Sequence, residues 1–73
     1  MKIRYFSDTD TVYIELTENP VVDTQDLSDT TVVDLDAQGG VVAITIEHAH
    51  RSANIHEFSF ERIPVPQTQL AAD

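Results

Sequence analysis

Seventy-three residues with thirteen acids, four bases and no cysteine make a small acidic chain of net charge −9, near the lower limit of what a hydrophobic core holds together unaided. The missing cysteines exclude a disulfide or a thiolate metal site and fit a reducing, cytoplasmic setting. The acid surplus argues against nucleic acid and anionic membranes, both of which are bound through cationic side chains, and favours a basic protein partner or none.

The charge is unevenly spread. Lys2, Arg4, Arg51 and Arg62 are the only bases, and ten of the acids fall between Tyr5 and His50, where there is no Lys or Arg. No stretch of about 18 apolar residues exists, which argues against a membrane-spanning helix, and Met1–Asp10 has no apolar run of signal-peptide length.

Met1 to Phe6 alternates, with Met1, Ile3 and Tyr5 opposite Lys2, Arg4 and Phe6. Ser7-Asp8-Thr9-Asp10 is turn chemistry, and Thr11 to Thr17 alternates again, with Val12, Ile14 and Leu16 on one side. A four-residue loop pairs Phe6 with Thr11, Tyr5 with Val12, Ile3 with Ile14 and Met1 with Leu16. Every inward residue then meets an inward residue, and a one-residue slip would spoil all of these pairs. Glu18-Asn19-Pro20 ends the strand, because proline cannot donate to a ladder. The acidic stretch Val21 to Thr30 predicts a short edge strand at Val21–Asp23 followed by a loop.

Thr31 to Glu47 is the strongest hairpin signal, two β-branched runs separated by Gly39-Gly40. A loop of Ala37–Gly40 would set Leu35 opposite Val42, Val33 opposite Ile44 and Thr31 opposite Ile46, with glycine supplying the positive φ. Beyond it, Ser52 is placed to cap a helical turn through Glu57, and His56–Pro64 reads as a fifth strand or an extended segment covering the sheet. The expected architecture is mainly β, a small antiparallel sheet of two hairpins plus a short C-terminal covering segment with one helical turn. Residues 1–66 form a single domain and residues 67–73 a flexible tail.

Candidate sites are few. Asp34 and Asp36, spaced i and i+2, would point the same way on a strand, and Asp8 and Asp10 flank the first turn, so each pair could hold a hard cation. No complete calcium-loop motif accompanies them, and turn-making or solvation accounts for these acids more simply. His48 and His50 would share a face if the strand continued, one geometry for zinc, but no third ligand is secured. The weight of the sequence is therefore on no metal and no cofactor. Ser7, Ser28, Ser52 and Ser59 lack an activating context, Gly39-Gly40 is no phosphate loop, and an enzyme is not expected.

The side of the sheet bearing Tyr13, Val32, Asp34, Asp36, Val41 and Ala43 is too apolar for plain solvent and too acidic for nucleic acid. These residues are the expected partner-binding surface. Two partly apolar faces on a chain too short to cover both predict a homodimer, or a sheet completed by another protein.

The blocks K-I-x-Y at Lys2–Tyr5, D-x-D-x-V-Y-I-x-L at Asp8–Leu16, V-V-D-L-D-x-x-G at Val32–Gly39 and V-x-A-I-x-I-E at Val41–Glu47 resemble the short prokaryotic proteins classed as domain of unknown function 2283. The likeness covers roughly Met1 to His50, and Ala43 stands where members usually have Gly. It implies a small antiparallel β-domain and no catalytic residues. Some members resemble antitoxins in genetic setting, lying beside a small ribonuclease-like toxin, which implies an acidic module masking a basic partner. The alternatives left open are a domain binding a divalent metal or small ligand, and a structural homodimer with no separable activity.

Overall fold

The computed structural model describes residues 1–66. The expected tail, residues 67–73, lies outside the described residues. Five strands form one antiparallel sheet: β1 (Lys2–Phe6), β2 (Thr11–Glu15), β3 (Asp23–Asp26), β4 (Thr31–Leu35) and β5 (Val41–Ile46), in the spatial order β1-β2-β5-β4-β3. A short helix, α1 (Ala49–Ser52), follows β5. The first hairpin has the expected register, with Ile3 opposite Ile14, Tyr5 opposite Val12 and Phe6 opposite Thr11.

The second hairpin keeps the expected pairs Val33–Ile44 and Thr31–Ile46 but departs from expectation near its turn. The register shifts after Asp34, so Leu35 pairs with Val41 rather than Val42. The extra residue is a bulge in β5. The turn therefore runs from Asp36 to Gly40, and on the other side of β5 the Val42 carbonyl accepts from the Leu16 N–H at 2.7 Å and the Thr17 N–H at 3.3 Å. Gly39 takes the positive φ, +82°, and Gly40 does not.

The edge strand β3 begins where the expected Val21–Asp23 strand was to end. Pro20 has no N–H to donate, and the first bond to β4 is from the Val22 N–H to the Leu35 carbonyl at 2.9 Å, just before the ladder begins at Asp23. Four residues of β3, all exposed, complete the sheet.

The C-terminal segment departs furthest from expectation. Ser52 ends α1 instead of capping a helix through Glu57, and residues 54–57 make a turn in which the Asn54 carbonyl accepts from the Glu57 N–H at 3.3 Å. No strand follows among the described residues. Phe58, Phe60 and Ile63 stay 70–76% exposed, so the segment does not cover the sheet. Pro64 and Pro66 cannot donate to a ladder, and the three apolar side chains share no strict period.

Direct pairing defines the two faces, because paired residues point to the same side. One face carries the row Ile3–Ile14–Ile44–Val33–Gln25 and the row Tyr5–Val12–Ile46–Thr31. The other carries Arg4–Tyr13–Thr45–Val32–Asp26 and Lys2–Glu15–Ala43–Asp34–Thr24. The first face is aliphatic and the second alternates apolar with charged. Among the described residues neither is covered by a second layer, and only Val33, Val42, Ala43 and Ala49 are buried.

Candidate functional site

The charged face gathers most of the expected partner-binding residues. Tyr13 lies between Arg4 and Thr45, and Val32 between Thr45 and Asp26. Ala43 is fully buried in the middle of the sheet, paired with Glu15 on one side and Asp34 on the other. Its methyl group leaves the two flanking carboxylates as the raised edges of that row. Asp34 accepts a 2.9 Å bond from the Thr24 hydroxyl of the neighbouring strand, which fixes its rotamer across the β3–β4 ladder.

Two of the expected residues lie elsewhere. The bulge places Val41 opposite Leu35, in line with Val33 rather than with Ala43. Asp36 is past the end of β4, in the turn. Its Oδ1 accepts from the N–H of Gly40 at 2.8 Å and of Gln38 at 3.0 Å, and its Oδ2 from the Asn19 side-chain amide at 3.0 Å. The Asn19 amide, with the Gly40 and Gln38 N–H groups, holds the Asp36 carboxyl below the usual carboxylate range. Asp36 thus ties the β2–β3 crossover to the β4–β5 turn, and its lone pairs are committed to that task.

The histidines do not share a strand face. β5 ends at Ile46, and His48 takes the left-handed conformation (φ 52°) that turns the chain into α1. His50 instead comes against the first hairpin turn. Its ring Nδ1 pairs with Asp10 Oδ2, and its backbone N–H reaches the same carboxylate at 3.3 Å. Tyr5 donates its hydroxyl to Asp10 Oδ1 at 2.8 Å, and the Asp10 carbonyl accepts from the Ala49 N–H at 2.9 Å.

Asp10 is therefore the hub of a latch that fastens α1 to the β1–β2 turn. Its own backbone is left-handed, with φ 53°, a conformation Asp tolerates better than most residues. The His50 ring, then Tyr5 and the His50 N–H, lower the Asp10 carboxyl below its usual range, and the same bond from Asp10 raises the Tyr5 phenol. Sequence reading missed this latch because Asp10 and His50 are 40 residues apart and no local pattern links them. The one available hint was a short polar turn, Ser7–Asp10, whose acids exceed what the turn itself requires.

Among the described residues no three His, Asp or Glu side chains converge as a metal-binding group, and no helix is long and apolar enough to cross a membrane. Asp8 takes no part in the latch interactions given above, and Asp34 and Asp36 are held by different partners. What the arrangement offers is surface: one aliphatic face, one face of aromatic, aliphatic and acidic rows, and an acidic end where Asp26, Asp29 and Glu47 surround Leu27 and Val32.

The family model described as "Protein of unknown function (DUF2283)" matches residues 2–50, which are the five strands and the first residues of α1. No curated protein and no solved structure matches the chain.

Proposed function

We propose that this chain, which belongs to the DUF2283 family of proteins of unknown function, is a protein-interaction module that masks a basic partner in an antitoxin-like manner. The observation that carries the reading is the uncovered charged face. Tyr13 and Val32 offer anchoring contact there, and Glu15, Asp34 and Asp26 supply negative charge in the same two rows. The bases of this face, Lys2 and Arg4, sit on the edge strand β1, so the acids on the β5–β4–β3 side are not neutralised by neighbours in their own rows. A cationic protein surface would meet Val32 with Asp34 and Asp26 beside it on the β4–β3 side, away from Lys2 and Arg4, an arrangement that speeds association and sets orientation.

The test is co-expression with the product of the neighbouring gene, followed by capture at low salt. Stable capture that weakens in the double variant Asp26→Lys, Asp34→Lys is the expected result. No association at low salt with the unaltered chain would end the proposal. The divalent-metal reading gains nothing from the geometry, since Asp36 is spent on Asn19 and the turn, and His50 on Asp10.

A further inference from the structure

We propose that the aliphatic face of the sheet is the seat of a second copy of this chain, two sheets packing face to face about a two-fold axis. The inference concerns the face opposite to that assigned to a basic partner and goes beyond that reading. Its first support is area. The chain exposes 6012 Å², whereas a compact chain of 8.1 kDa exposes about 4,500 Å². The surplus is near 1,500 Å², about twice the roughly 800 Å² per partner that a standard stable interface buries. The radius of gyration agrees, at 15.4 Å against about 11 Å for a compact chain of this length. Exposed apolar residues of the sheet, such as Ile3 and Tyr5, and of the segment after α1, such as Phe58 and Phe60, contribute to that surplus.

The second support is chemistry. The two full rows of this face contain Ile3, Ile14, Ile44, Val33, Tyr5, Val12, Ile46, Thr31 and Gln25, and no charged residue. A chain of net charge −9 resists meeting its own copy wherever its acids must be desolvated against one another. On this face the one strand acid is Asp23, opposite Leu35 at the β3 rim, and the Asp10 carboxylate at the turn end is already bonded to Tyr5 and His50. The face is therefore self-complementary in the way a two-fold interface requires. β-branched side chains on two such faces interdigitate at the usual sheet-to-sheet spacing of about 10 Å.

The third support is that the described residues do not cover this face. Phe58 and Phe60 come beside Met1 and Ile3, but they only line an open cleft there. Ile3 remains 43% exposed and Tyr5 41%. A second copy would bury the sheet rows and use Phe58 and Phe60 as rim contacts.

Sedimentation equilibrium of the unaltered chain should give about twice the 8.1 kDa chain mass at micromolar concentration. Isotope-filtered nuclear Overhauser measurements on mixed labelled and unlabelled protein should show contacts between copies from the Ile3, Ile14 and Ile44 methyl groups. Ile14→Lys, checked for retained strand signal by circular dichroism, should halve the mass. If that variant unfolds, the contacts measured on the unaltered chain decide. A well-folded monomer overturns the inference, and so does a dimer whose contacts come from Tyr13, Val32 and Thr45. Self-association requires no other protein, so its failure leaves the basic-partner reading standing, and the reverse also holds.

Discussion

Truncating Ile14 to alanine separates a sheet that stands alone from one covered by a copy of itself. Ile14 lies in the middle of the aliphatic row, paired with Ile3 on one side and Ile44 on the other, and is half-buried in the single chain. Losing three carbons costs about 2.4 kcal/mol when fully buried, at about 0.8 kcal/mol each, and about half of that where the outer side already meets water. Under a second sheet the outer side is dry, and the residual cavity raises the cost to about 2–5 kcal/mol. In a chain of this length each kcal/mol lowers the midpoint of thermal unfolding by about 4–8 °C. The unaltered protein supplies a second reading. For a dimer that unfolds to separate chains, a hundredfold dilution costs about 2.7 kcal/mol. Spread over the unfolding entropy of two chains, at about 2.1 cal/mol/K per residue, this lowers the midpoint by about 9 °C. Melting curves at two concentrations, for both proteins, supply all four midpoints. A midpoint indifferent to dilution, together with a cost for Ile14→Ala near 1 kcal/mol, would refute the covered sheet.

Gly39→Ala should cost about 1 kcal/mol, read from urea unfolding. Its added Cβ meets nothing within 4 Å, so the penalty comes from holding alanine at φ +82°, and Gly39→Asn should be milder. Asn19→Ala removes the 3.0 Å amide bond to Asp36, and the Asp36 carboxyl should then titrate closer to its ordinary value by carbon-detected NMR, with a lower melting midpoint. Asp10 and Asp36 both have carboxyls lowered in the folded state, so below the ordinary carboxylate range the unfolded chain takes up protons first. Their contribution is present above about pH 4 and is lost as pH falls through the lowered values. Melting midpoints followed into acid should fall less steeply once Asp10 and Asp36 are both replaced by Asn, and an unchanged slope would count against the two networks.

Local patterns carried much of this fold, for a physical reason. Alternation fixed the first hairpin because Ile3, Tyr5, Val12 and Ile14 all change face on a one-residue slip. The same alternation could not reveal the bulge at Val42. The run Val41-Val42-Ala43 is apolar throughout, so either register keeps an apolar residue opposite Leu35. The order β1-β2-β5-β4-β3 was also out of reach, since it depends on β5 pairing with β2 across the intervening β3 and β4. Of the candidate site, the common face of Tyr13, Val32, Asp34 and Ala43 followed from strand parity. Asp36 was misplaced because the turn begins one residue earlier than a four-residue loop allows. The Asp10–His50–Tyr5 latch needed tertiary structure, as did the exposure of Phe58 and Phe60, whose sequence alone suggests burial.

Salt distinguishes the two faces by sign. Bringing two chains of charge −9 together costs long-range repulsion, and the rows of the aliphatic face contain no ion pair to offset it. Raising ionic strength shortens the screening length from about 10 Å at 0.1 M to about 3 Å at 1 M, which removes that repulsion and leaves apolar burial intact. Self-association should therefore tighten with salt. Capture of a basic protein by Glu15, Asp34 and Asp26 depends on attraction that the same salt screens, so it should weaken over the same range. Both constants can be read in one titration series, by sedimentation for the dimer and by capture for the complex. If self-association also weakened with salt, the copies would be meeting through charge. The contact would then lie at the edges, where Lys2 and Arg4 belong to the edge strand β1 and Asp23 and Asp26 to the opposite edge strand β3.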